Sequence, residues 1–128
     1  MSTRDPCRGE VWEVYLGRLP AEEGDPANPE GKEVVGHEQA GIERPAVIVA
    51  DERLVGPGMT IVAPATHSPP RSEVHVKPVP SRDAGLEGAI LCDQIRAVSV
   101  LRLRRFLGQL SKATMSQVEQ NLQDLLGL

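Results

Sequence analysis

The densest concentration of reactive side chains lies in Gly36-His37-Glu38-Gln39-Ala40-Gly41-Ile42-Glu43-Arg44-Pro45. This polar stretch brings together an imidazole, a carboxylate, an amide and a guanidinium. A base, an acid and a fixed cation are the parts that phosphodiester cleavage needs. One group takes the proton of the attacking hydroxyl, donors meet the charge that builds on phosphorus, and an acid protonates the leaving oxygen. A histidine such as His37 begins in the right range for a base. A carboxylate such as Glu38 must first be desolvated. Arg44 stays charged at any cellular pH and offers planar, paired donors to a phosphate. Each residue also has a plainer role open to it: a salt bridge for Arg44, a loop hydrogen bond for Glu38, a solvated ring for His37.

These groups need a rigid edge, and the following residues suggest one. Ala46-Val47-Ile48-Val49-Ala50 is a continuous apolar run rich in β-branched residues, which reads as a buried strand with Pro45 as its first residue. Arg8–Leu16 alternates apolar and polar positions and reads as a half-buried strand. Within it Trp12 is a core residue or a base-stacking one. Asp51–Gly58 suggests a short helical turn and a stop. Met59–Pro64 reads as a strand ending in the rigid turn Ala65-Thr66-His67-Ser68-Pro69-Pro70. Glu73–Val79 reads as an edge strand because of Pro78. Gly88–Val98 reads as a strand interrupted by Asp93, Gln94 and Arg96, and Arg105–Leu110 as a short one. Ser111 is a plausible N-cap, followed by Met115, Val118, Leu122 and Leu125 at helical spacing and by Gly127 as a stop. Short strands joined by turns, with one terminal helix, predict a mainly β fold: a small antiparallel barrel with an appended C-terminal helix and short connecting helices.

The 128 residues suit a single domain spanning 1–128. No apolar run is long enough to span a membrane, and the polar N-terminus lacks the hydrophobic segment of a secretory signal. Cys7 and Cys92 are too few and too far apart for a disulfide framework or a zinc site, so free thiols in a reducing cytoplasm are expected. The net charge of −4 argues against nonspecific wrapping of nucleic acid. Its distribution matters more. Residues up to Glu43 hold four Lys/Arg against ten Asp/Glu, while the remainder holds ten against eight. The acidity is concentrated in a long loop at about 20–36, rich in proline and glycine. That loop reads as a solvated insertion or as a flap limiting which substrate enters. Beyond it a local basic groove remains feasible, and Arg96, Arg102, Arg104 and Arg105 form the densest basic run. With only Trp12, Tyr15 and Phe106 as aromatics, a stacking platform of the RRM type is not expected.

Gly-His-Glu-Gln-x-Gly followed by Arg-Pro and a Val/Ile-rich strand resembles the signature of the MazF/PemK family, the endoribonuclease toxins of type II toxin–antitoxin systems. Arg8-Gly9-Glu10-x-Trp12 resembles the family's opening strand. Val62-x-Pro64-x-Thr66 and Asp93-Gln94-Ile95-Arg96 resemble two further family motifs, in the family's order. The resemblance implies an SH3-like barrel and a homodimer. It implies metal-independent, sequence-specific cleavage of single-stranded RNA with no cofactor, through attack of the 2′-hydroxyl, leaving a 2′,3′-cyclic phosphate and a 5′-hydroxyl. It further implies neutralisation by a cognate antitoxin and no membrane partner. Catalytic roles would fall on Arg44, Thr66, Glu38, His37 and Asp93. RNA contacts would come from Gln39, His67, Arg71, Gln94 and Arg96. There are two departures. Ile42 and Glu43 stand between Gly41 and Arg44 where relatives usually have one residue, and Leu91 stands where some relatives carry a catalytic Arg. Two other readings use the same fold: a CcdB-like gyrase poison, disfavoured because the chain has Leu126-Gly127-Leu128 in place of Trp-Gly-Ile, or a degenerate toxin that serves as an antitoxin sink.

Overall fold

The computed structural model describes residues 5–16, 43–53 and 55–128. The loop at about 20–36 and the candidate residues His37, Glu38 and Gln39 lie outside them. Seven strands and one α-helix are described: β1 (Glu10–Tyr15), β2 (Glu43–Ile48), β3 (Met59–Thr66), β4 (His75–Val76), β5 (Ala89–Leu91), β6 (Arg96–Ser99), β7 (Leu103–Gln109) and α1 (Lys112–Leu126). The strands pair in the order β4-β5-β3-β2-β1-β7, all antiparallel, with β6 also on β3. Among the described residues no ladder joins β4 to β7, so the expected barrel is an antiparallel sheet that stops short of closure.

Side chains alternate across a strand, so register decides which face each residue serves. Val11 is opposite Val47, and Val47 opposite Ala63. These three join Ala65, Val76 and Ile90 on the face covered by α1, where Met115 and Val118 are buried and Leu122 packs alongside. The other face gathers Val14, Leu16, Ala46, Ile48, Val62 and Val98, with Trp12 and Leu103 against them. Trp12 is thus mainly a packing residue. Its ring meets Phe106 edge-on at 5.6 Å, and its Nε1 donates to the buried Glu10 carboxylate at 3.1 Å. Leu125, the last member of the helical stripe, is exposed because the sheet does not reach that far along α1.

The elements differ from the sequence reading in instructive ways. β2 begins at Glu43, two residues before the expected start at Pro45, so Arg44 is a strand residue, not loop. Pro45 pairs with Glu13 on β1, and the ladder to β3 extends only as far as Ala46, where a missing N–H costs little. β3 continues through Pro64 to Thr66 because β5, on the edge away from β2, pairs with Ala65 and Thr66. The described residues of Asp51–Gly58 form turns, not a helix. The Asp51 carboxylate accepts the Arg53 amide and guanidinium, which hold its pKa down at about 2. The expected strand over Glu73–Val79 shrinks to two residues, although at the edge as anticipated. Gly88–Val98 is two strands separated by a 3-10 turn at Cys92–Gln94. A second 3-10 turn covers Val100–Arg102.

Ser111 caps α1 as expected, its hydroxyl accepting the Thr114 amide at 3.3 Å. Gly127 ends the helix in the left-handed conformation, and the Leu128 amide returns to the Gln123 carbonyl. Cys7 and Cys92 are free thiols. Burial, with the nearby Asp93 charge, pushes the Cys92 thiol up to about 11. Among the described residues no helix is long and apolar enough to cross a membrane.

Candidate active site

A cleft of about 330 Å³ opens where β3, β5 and β4 end, lined by Thr66, Ser68, Arg71, His75, Asp93 and Gln94, with Pro69 and Leu91 at its walls. Alternation explains why these groups meet. Ala65, Val76 and Ile90 point to the helix side. Their strand neighbours Thr66, His75, Ala89 and Leu91 therefore point to the opposite face, and Thr66 is opposite Ala89 while His75 is opposite Leu91. The 3-10 turn after Leu91 then carries Asp93 and Gln94 to the rim, and its other side rests near α1.

The Thr66 hydroxyl is held for donation. Its Oγ1 accepts the Ser68 amide at 3.3 Å, which leaves its own proton to donate elsewhere. Gly88 allows the backbone around Thr66 to sit where it does. At Gly88 the backbone has φ +83°, and a Cβ there would lie 2.2 Å from the Thr66 carbonyl oxygen and 2.5 Å from the His67 carbonyl carbon. Gly88→Ala is expected to cost about 2 kcal/mol or more, combining left-handed strain with a backbone clash. Chemical denaturation measures the loss, and a displaced Thr66 in the variant's crystal structure would identify its origin.

His75 was not among the residues singled out from sequence. Its Nε2 lies 3.0 Å from Asp93 Oδ1, and its Nδ1 accepts the Arg71 amide at 3.2 Å. A backbone N–H only donates, so Nδ1 is the unprotonated nitrogen and the ring proton sits on Nε2, facing Asp93. The one available signal was its place in the alternating Glu73–Val79 stretch, which says nothing about a partner eighteen residues away.

The structure gathers Thr66, Arg71, Asp93 and Gln94 from the sequence candidates around this cleft. His67 is exposed on the turn beyond Thr66, and neither it nor Arg96 lines the cleft. Arg96 lies on β6 opposite Val62. Arg44 also lies outside the lining, but on the same face. It is opposite Val14, a member of the core cluster on the side away from α1. Alternation along β2 and β3 puts Arg44 on the face of Ala46 and Thr66 on the face of Val62, which is the same face of the sheet. The downstream basic run does not form a groove. Arg102 is buried, with Nη1 donating to the Tyr15 carbonyl at 3.2 Å; Arg104 covers the Tyr15 ring at 4.8 Å; and Arg105 meets Glu13 at 3.2 Å. These arginines are occupied in joining β7 and its preceding turn to β1.

The fold has solved relatives. MazF from Deinococcus radiodurans superposes with a TM-score of 0.71 at 23% identity, covering 98% of this chain and 100% of that one. An endoribonuclease from a mycobacterial species gives 0.70 at 21% identity, covering 100% and 97%. A mycobacterial endoribonuclease in complex with its cognate antitoxin gives 0.67 at 21%, covering 97% of both chains. Residues 8–126 match the family described as the PemK-like, MazF-like toxin of type II toxin-antitoxin system. The match over nearly its whole length shows that the chain belongs to this MazF/PemK toxin family.

Proposed function

We propose that the protein is an endoribonuclease that cleaves single-stranded RNA at specific sequences, without a metal ion, through attack of the 2′-hydroxyl on the adjacent phosphate. The observation that carries the reading is that Arg44 and Thr66 belong to the same sheet face on adjoining strands, beside a polar cleft. Arg44 stabilises charge on the phosphorane, and the Thr66 hydroxyl donates to a phosphate oxygen. Asp93, on the opposite rim, is the carboxylate within the cleft suited to proton transfer. The product is a 2′,3′-cyclic phosphate and a 5′-hydroxyl. Gln94 and Arg71 contact the RNA along the cleft. His37, Glu38 and Gln39 precede Arg44 in sequence and are assigned to the same substrate, as are His67 and Arg96 at its periphery. The protein works as a homodimer in the cytoplasm and is silenced by a MazE-like antitoxin. The similar solved structures of a mycobacterial endoribonuclease and of MazE-MazF complexes support the ribonuclease and antitoxin parts of this reading.

Incubation with a long single-stranded RNA in EDTA, followed by mapping of the new ends, tests the reading. Discrete cuts ending in cyclic phosphate are expected. Intact RNA together with gyrase inhibition would overturn it in favour of a CcdB-like poison. Intact RNA with neither effect would overturn it in favour of a degenerate toxin.

A further inference from the structure

The His75 ring has both nitrogens engaged within the cleft, and its side chain is only 10% exposed. One nitrogen meets the loop that carries Arg71, and the other meets the 3-10 turn that carries Asp93 and Gln94. These two segments form facing walls, and the pairing of β4 with β5 is too short to hold them by itself: it contains only His75–Leu91 and Val76–Ile90. A flat ring donating on one side and accepting on the other sets the distance between the walls. It also engages Asp93 Oδ1, which fixes the orientation of the carboxylate. We propose that His75 is the positioning residue of the cleft: it joins the Arg71 loop to the Asp93 turn and orients the Asp93 carboxylate toward RNA. With both nitrogens occupied it takes no proton from the substrate itself.

The inference rests on the ribonuclease reading above, and its test separates the two. Cleavage kinetics are measured for the wild type, His75→Ala, His75→Gln, Asp93→Ala and the double variant His75→Ala/Asp93→Ala. His75→Ala is expected to lower kcat by about 10- to 100-fold, the scale of a misplaced catalytic group, with a smaller change in KM. His75→Gln, whose amide nitrogen reaches toward Asp93 as Nε2 does, regains part of the loss. In the Asp93→Ala background His75→Ala costs nothing more, because its effect passes through that carboxylate. Losses that multiply in the double variant, or a His75→Ala protein with wild-type kcat, overturn the proposal. A wild-type protein that leaves RNA intact overturns the ribonuclease reading instead. The positioning claim is then decided by nitrogen-15 NMR of the His75 ring. A proton on Nε2 whose resonance shifts in Asp93→Ala supports the arrangement, and a proton on Nδ1 overturns it.

Discussion

Arg44→Ala is expected to lower kcat for RNA cleavage by about 10²- to 10³-fold, the usual cost of removing a principal donor to transition-state charge. Arg44 is paired opposite Val14 of β1, and alternation puts it on the Thr66 face of the sheet, so the fold sets its backbone before substrate arrives. Arg44→Lys keeps the charge and removes the planar pair of donors, and is expected to recover only a small part of the rate. Thr66→Val, which conserves shape and removes only the hydroxyl, is expected to cost about tenfold, as for one hydrogen bond. Single-turnover assays on a defined RNA give the rates, and thermal melting of each variant establishes that the strand remains paired. A folded Arg44→Ala protein that still cuts at the wild-type rate would remove Arg44 from the mechanism.

The largest effect on stability is expected away from the cleft, at Asp83. This residue is fully buried, and its carboxylate accepts the Val79 amide at 2.7 Å, the Ser111 amide at 2.8 Å and the Thr114 hydroxyl at 2.6 Å. It therefore closes its own turn and caps α1 from outside, at the helix end where negative charge is favoured. Asp83→Ala would leave three donors without this acceptor, the buried Thr114 hydroxyl and the part-buried Val79 and Ser111 amides. The expected loss is about 3 kcal/mol or more, a substantial part of the stability of a domain this size. Denaturant unfolding measures it.

The same carboxylate makes stability depend on pH. Burial alone would raise its pKa, but the Thr114 hydroxyl and the backbone donors of Val79 and Ser111 outweigh that and hold it below the ordinary 3.8. In the unfolded chain the carboxylate binds its proton at the higher, ordinary value. Its contribution is therefore complete above that pH and is lost as the pH falls through the lower, folded value. Asp83→Asn is expected to flatten the fall in stability below about pH 4. An unchanged acid limb would assign that fall to other groups.

Much of this protein was written in local patterns. Alternation marked β1. The apolar stripe and Ser111 marked α1, and the order of three motifs placed Arg44, Thr66 and Asp93 on one fold. Those features depend on neighbours within a few residues along the chain, or on a family signature, and both are visible in one dimension. What the tertiary structure decided concerns partners far apart in sequence. β3 continued past Pro64 because β5 was there to pair with it. The basic run lost its groove because Tyr15 and Glu13 stood opposite. Asp83 looked like an ordinary loop acid until the N-terminus of α1 came to rest on it. His75 acquired its place only when the short β4–β5 pairing brought Asp93 within 3.0 Å. A polar side chain's role follows from the group that satisfies it, and in this fold that group is supplied by strand pairing and by the packing of α1, which join residues far apart in the chain.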